Sequence, residues 1–246
     1  MQPRYGRGLT TAVLRPLAEQ LIDALRVPVG GTVCELLCDS GELSRTLAPM
    51  IGFGGTFILT DTDAELLDRC AHSVRGTCTV VTDAIVSATL HVDDGVCDRV
   101  TSLLTLDVES ATQLLNEARR IVASGGVVAC LVWDVSAPPP YELALARALR
   151  DEVGIESPLL RRMASPTPIP EGYSASVVRD VARFDGFDHL WSAMAEHQQG
   201  VDTSELTSEA LEAMRGRCAA ELAAHAAADG TLRIPVTALL LSLPRP

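Results

Sequence analysis

The 246 residues are 47% hydrophobic and carry a formal net charge of −12. That is enough apolar material for one sizeable core, and too few basic groups to bind a nucleic acid through counterion release. All 20 basic residues are arginine, which excludes Schiff-base and lysine-base chemistry.

Residues 10–26 place Leu14, Leu17, Leu21, Ile22 and Leu25 on one face and predict an amphipathic helix. After Gly30-Gly31 the run TVCELL predicts a short strand of the all-apolar kind that lies inside a parallel sheet. SGELSRTLAPM predicts a helix, GGTFILTD a second strand, DAELLDRCAHSV a helix and CTVVTD a third strand. CDRVTSLLTL, ESATQLLNEARRIV and GGVVACLVWD continue as strand, helix and strand. Strands alternating with helices at this spacing imply parallel βαβ units and a doubly wound α/β sheet.

After Asp134 the rhythm changes. SAPPP predicts a loop, YELALARALRDEVG a helix, and ESPLLRRMASPTPIPEGY a proline-bearing lid or binding loop. SASVVRDVARFDGF is expected as a short helix and FDHLWSAMAEH as a sixth strand. Residues 203–228 read as a helix and LRIPVTALLLSLP as a last strand. The expected whole is one domain over 1–246, with a core at about 27–135 and 186–246 and lid segments at about 140–185 and 203–228.

The seven cysteines are scattered and odd in number, which predicts buried, reduced thiols and a cytoplasmic setting. Cys34 and Cys38 lack a second pair at matching distance, so no metal site is expected. No signal peptide is expected, and no apolar run of the sequence reaches membrane-spanning length.

In an open α/β sheet, ligands bind beyond the carboxyl ends of the strands. Three successive predicted strands end in acid there: Glu35, Asp61 and Asp83. A carboxylate at the second strand's tip suits a ribose diol, and one after the third can accept from an exocyclic amine. Acidic groups near the first turn can meet a cationic amine. The ligand described is rich in hydroxyls and amines and poor in phosphate.

The order VCELLCDSGELSRTLA, FILTDTDAELLDRC, VVTDA, CDRVTSLLTL, ARRIVASGGVVACLVWD resembles the class I S-adenosylmethionine-dependent methyltransferases, in the small-molecule branch similar to the ubiquinone and menaquinone methyltransferases. The resemblance implies a Rossmann-like, mostly parallel sheet whose antiparallel closing strand lies between the fifth and sixth, plus a helical lid. It implies S-adenosylmethionine as cofactor and a small, apolar acceptor. It places Glu35 at the end of the first strand, and Cys38, Asp39, Ser40 and Gly41 in the loop under the cofactor's methionine part. It gives Asp61 and Thr62 to the ribose, Asp83 and Ala84 to the adenine, and Thr101 to a backbone contact after the fourth strand. Tyr5 falls where the family closes the pocket.

Two of the family's three alternate glycines are replaced, by Leu37 and Asp39, and only Gly41 stays. Asp39 tolerates positive φ better than most residues; its carboxylate either meets the cofactor's amino group or occupies the methionine space. Leu37 is expected to pack beneath the loop. Asp63 and Asp107 have the positions of helix caps. His197 and Tyr173 lie in segments that would cover an acceptor, and Trp133 is expected to pack at the end of the fifth strand. A serine-hydrolase elbow is disfavoured by the missing glycine before Ser40. A dinucleotide site is disfavoured by Asp39 and Glu42, which would repel a pyrophosphate. Two alternatives stay open beside methyl transfer: a non-catalytic binding or oligomerisation protein, and a cofactor-binding enzyme of different chemistry on the same fold.

Overall fold

A computed structural model describes residues 7–106, 108–157, 159–160, 163, 169–195 and 206–245. Helical turns at Arg7–Leu9 and Thr10–Leu14 run into helix α1 (Arg15–Leu25), whose Leu17, Leu21 and Leu25 are fully buried. Each such leucine contributes about 2 kcal/mol of transfer free energy.

The alternation of strand and helix then follows: β1 (Thr32–Glu35), α2 (Glu42–Ile51), β2 (Thr56–Asp61), α3 (Ala64–Val74), β3 (Thr79–Ala84), β4 (Cys97–Leu103), α4 (Val108–Ile121) and β5 (Val122–Trp133). The second half holds α5 (Pro140–Ala148), β6 (Ser174–Phe184), α6 (Phe187–Ala195), α7 (Ser208–Leu222) and β7 (Leu232–Pro244).

The seven strands form one sheet in the order β3-β2-β1-β4-β5-β7-β6. β1 to β5 are parallel, with Cys34 opposite Ile58 on one side and Val100 on the other. β7 runs antiparallel to both neighbours, pairing Leu131 with Leu240 and Val178 with Ala238. The strand order reverses at β1 and β4, so the crevice beyond Glu35 and Leu103 is the switch point at which such sheets bind ligands. One core layer joins α1, α2, α5 and α7 to the sheet, and a second packs α4 on the other face through Leu114, Leu115 and Ala118.

Two expected elements exchange types. SASVVRDVARFDGF is not a helix but the edge strand β6, and FDHLWSAMAEH is not a strand but α6. Val178 and Ala182 are buried four residues apart, a spacing that fits either period; the β-branched Val177, Val178 and Val181 favour the pleated strand. In α6, Leu190, Ala193 and Met194 are buried at helical intervals. β6 therefore falls inside the interval expected for the lid. Arg179 and Arg183 lie exposed along this edge, where charge discourages pairing with another chain.

Candidate functional site

The loop between β1 and α2 is built by its own amides. Leu36 N donates to Thr101 O at 2.8 Å, Cys38 N to Thr60 O at 2.9 Å, and Gly41 N to Cys38 O at 2.8 Å. Leu37 N donates to Thr60 Oγ1 at 3.3 Å and Asp39 N to Asp61 Oδ2 at 2.9 Å. These bonds tie the loop to β2 and β4 and hold positive φ at alternate residues: 54° at Leu37, 47° at Asp39 and 72° at Gly41. Positive φ costs an ordinary L-residue about 1–2 kcal/mol, and persists where the surroundings over-determine it. The three positions expected to carry glycine thus keep a left-handed backbone although two of them are not glycine. Leu37 joins the core layer that packs α4.

Asp61 ends β2 and is 5% exposed. Besides Asp39 N, its carboxylate accepts from Asp63 N at 3.1 Å, and the Cys38 thiol lies 4.0 Å away. Asp63 caps α3 as expected, accepting from Glu65 N and Leu66 N. Thr62 is exposed. Asp83 is the penultimate residue of β3, with exposed Ala84 after it. Its carboxylate accepts from His91 N at 2.7 Å and lies 2.9 Å from His91 Nδ1, a partner that nothing in the sequence pattern announced.

Glu35 does not open outward. Its carboxylate accepts from Ser44 Oγ at 2.5 Å, and Ser44 Oγ lies 2.9 Å from Cys70 Sγ. Burial, reinforced by the Cys70 thiol, pushes the Glu35 carboxyl well above the usual carboxylate range. Glu42 at the start of α2 is held by Arg15 Nε at 2.9 Å and Arg45 Nη2 at 2.8 Å. Thr101 lies within β4 rather than after it, fully buried, with its carbonyl taken by Leu36. The residues that follow, Leu103 and Thr105, border the loop instead.

Leu14, Glu35, Leu37, Asp39, Leu103 and Thr105 line a cavity of about 10 Å³, roughly the room one water needs. Tyr5, Asp107 and His197 lie outside the described residues. Tyr173 is structural: its hydroxyl donates to Leu115 O at 2.6 Å, beneath α4. Trp133 packs half-buried against the main core layer. Among the described residues no group of three metal-ligating side chains occurs.

Comparison with known proteins agrees with this geometry. Residues 35–130, from the end of β1 to the middle of β5, match the family described as "Methyltransferase domain". The match spans less than half of the chain and says what this segment resembles. A structure assigned to a methyltransferase of an antibiotic biosynthesis pathway in Anabaena variabilis superposes with a TM-score of 0.60 at 13% identity, covering 95% of this chain and 98% of that one. The YcgJ protein of Bacillus subtilis gives 0.55 at 10% identity over 93% and 98% of the two chains. The [4+2]-cyclase SpnF gives 0.51 at 12% over 94% and 81%, so the same fold also hosts chemistry other than methyl transfer. No curated protein matches the chain.

S-adenosylmethionine is the cofactor of the matched domain type, and the loop's backbone conformation is compatible with it. The left-handed backbone at residues 37, 39 and 41 is present, and carboxyl groups stand at or next to the ends of β1, β2 and β3. A buried hydroxyl at Thr101 has no hydrogen-bond partner among the described residues. The cavity is far smaller than the roughly 300–1,000 Å³ of a ligand pocket. Among the described residues no helix is long and apolar enough to cross a membrane.

One buried acid was missed by the sequence reading. Glu142, in the first turn of α5, is 8% exposed, and burial alone pushes its carboxyl up to about 7 from an ordinary 4.5. The folded state therefore keeps a proton that the unfolded chain releases. Its stability is undiminished below pH 4.5 and falls as pH rises towards 7, by about 3 kcal/mol in all. Glu142→Gln removes this titration. Urea unfolding between pH 4.5 and 8 should show wild type losing about that much relative to the variant; parallel curves would rule it out.

Proposed function

We propose that the protein transfers a methyl group from S-adenosylmethionine to a small, apolar acceptor, at oxygen, carbon or nitrogen. The observation that carries this is the first loop, with left-handed backbone at Leu37, Asp39 and Gly41 pinned to Asp61 at the switch point of the sheet. In this proposal Cys38, Asp39 and Gly41 surround the methionine part, with Glu35 beneath them. Asp61 and Thr62 take the ribose, Asp83 and Ala84 the adenine, and Thr101 and Tyr5 complete the pocket. An acceptor similar to those of the quinone methyltransferases suits the leucines at the cavity wall.

Bound S-adenosylmethionine supplies a sulfonium methyl that is already electrophilic. The chain's own work is then mainly positional: the carboxylates orient, and Leu14 and Leu103 exclude water and align the acceptor. This accounts for a site without an evident general base. The protein is expected to act as a soluble enzyme on a small molecule.

The deciding experiment is calorimetric titration with S-adenosylmethionine and S-adenosylhomocysteine. Binding in the micromolar range is expected, and no heat at millimolar ligand ends the proposal. The small cavity favours one competitor, a non-catalytic protein that keeps the fold after losing the pocket. Absence of binding to both ligands is what that competitor requires.

A further inference from the structure

The geometry points to a carboxylate subsite at the rim of the first loop, formed by Arg15 and Arg45 around Glu42, which selects a ligand whose amino-acid part keeps its carboxylate. The subsite rests on the cofactor role proposed for that loop.

The described residues bordering the small cavity include three acids, Glu35, Asp39 and Glu42, and no base. Such a lining suits an ammonium and repels a carboxylate. An α-amino acid carries both groups on one carbon. A site that takes the ammonium on Asp39 must therefore offer a cation close by.

Two guanidiniums are gathered there, from separate elements. Arg15 is the first residue of α1, and its neighbour Leu14 borders the cavity. Arg45 lies in the first turn of α2, three residues after Glu42. Both reach Glu42, on different oxygens: Arg15 Nε donates to Oε1 at 2.9 Å, and Arg45 Nη2 to Oε2 at 2.8 Å. Arg45 Nη1 also donates to Ser40 O at 2.9 Å, so this guanidinium lies against the loop itself. Gly41 makes room for it, since a Cβ there would stand 3.2 Å from Arg45 Nη1. The one glycine kept in the loop is thus the one beside the guanidinium.

Charge and valence both leave this group able to take a second anion. Two guanidiniums around one carboxylate carry a surplus of one positive charge. Among the described residues, each arginine meets Glu42 through a single nitrogen, whereas a guanidinium can grip a carboxylate with two parallel bonds. Glu42 is 9% exposed, while the Arg15 and Arg45 side chains stay about half exposed. Glu42 therefore holds both forks from the inside, and N–H groups on each remain for a carboxylate arriving from solvent. A purely structural role, tying α1 to α2, is the competing account. It would act on every ligand alike.

The test compares two ligands that differ only in the carboxylate: S-adenosylhomocysteine, and S-adenosyl-3-thiopropylamine, in which hydrogen replaces it. Calorimetric titration of the full chain should show wild type preferring S-adenosylhomocysteine by at least about tenfold. Arg15→Gln and Arg45→Gln should each reduce that preference at least about threefold, by weakening S-adenosylhomocysteine while the amine binds as before. Variants that weaken both ligands equally, or neither, overturn the subsite. Equal affinity of the wild type for the two ligands, or a preference for the amine, overturns it without recourse to any variant and leaves the methyl-transfer proposal standing. Binding of neither ligand overturns both.

Discussion

Replacing Asp61 by alanine should cost the protein both its cofactor and part of its fold. The Asp61 carboxylate accepts from Asp39 N at 2.9 Å and from Asp63 N at 3.1 Å, in a residue 5% exposed. Removing it leaves two buried or half-buried amides without their acceptor. Such a loss costs about 1–3 kcal/mol for each buried group. We expect about 2 kcal/mol of destabilisation and a Tm lower by about 4–8 °C. Affinity for S-adenosylhomocysteine should fall at least about a hundredfold, because in the proposed site the carboxylate that anchors the loop also accepts from the ribose. Asp61→Asn separates the two roles. It retains one acceptor oxygen for Asp39 N, so most of the Tm should return while much of the affinity does not. An Asp61→Ala protein that binds as tightly as wild type removes Asp61 from the site.

The part of the fold written in short-range pattern was legible. Apolar runs such as TFILTD and GGVVACLVWD can be buried on both faces only in a parallel sheet, and they fall at β2 and β5. The exchange of β6 and α6 marks the limit of that pattern. Val178 and Ala182 stand four apart, two strand periods and about one helical turn, and only tertiary pairing with β7 decides between them.

At the candidate site, the positions of Glu35, Asp61 and Asp83 at or next to strand ends were legible because strand ends are. Their orientations were not. Glu35 turns to Ser44 and Asp83 to His91, contacts that depend on how the helix and loop return to the sheet. Glu142 was invisible for a related reason. An acid in a first helical turn ordinarily faces water and favours the helix dipole, and only the packing of α5 buries it. The conformation of the first loop was concealed by residue type, since Leu37 argues against positive φ. The amide bonds to Thr60 and Asp61 impose it nonetheless.

That same loop supplies the sharpest division between an active site and a relic. Asp39 holds φ at 47° and lines the cavity with Glu35. Asp39→Gly relieves the left-handed strain, about 1 kcal/mol, but also frees the unfolded chain by about 0.4–1 kcal/mol. Stability measured by urea unfolding should therefore stay within about 1 kcal/mol of wild type. Affinity is where the substitution speaks. A carboxylate facing the cofactor's ammonium contributes about 1.5–3 kcal/mol, so its loss should weaken S-adenosylhomocysteine about tenfold or more. Adenosine, which lacks the ammonium, should bind both proteins alike. If the glycine variant instead binds more tightly, the carboxylate fills the methionine space in the wild type. Asp39 would then be the change that closed the pocket, and the non-catalytic alternative would gain the support that methyl transfer lost.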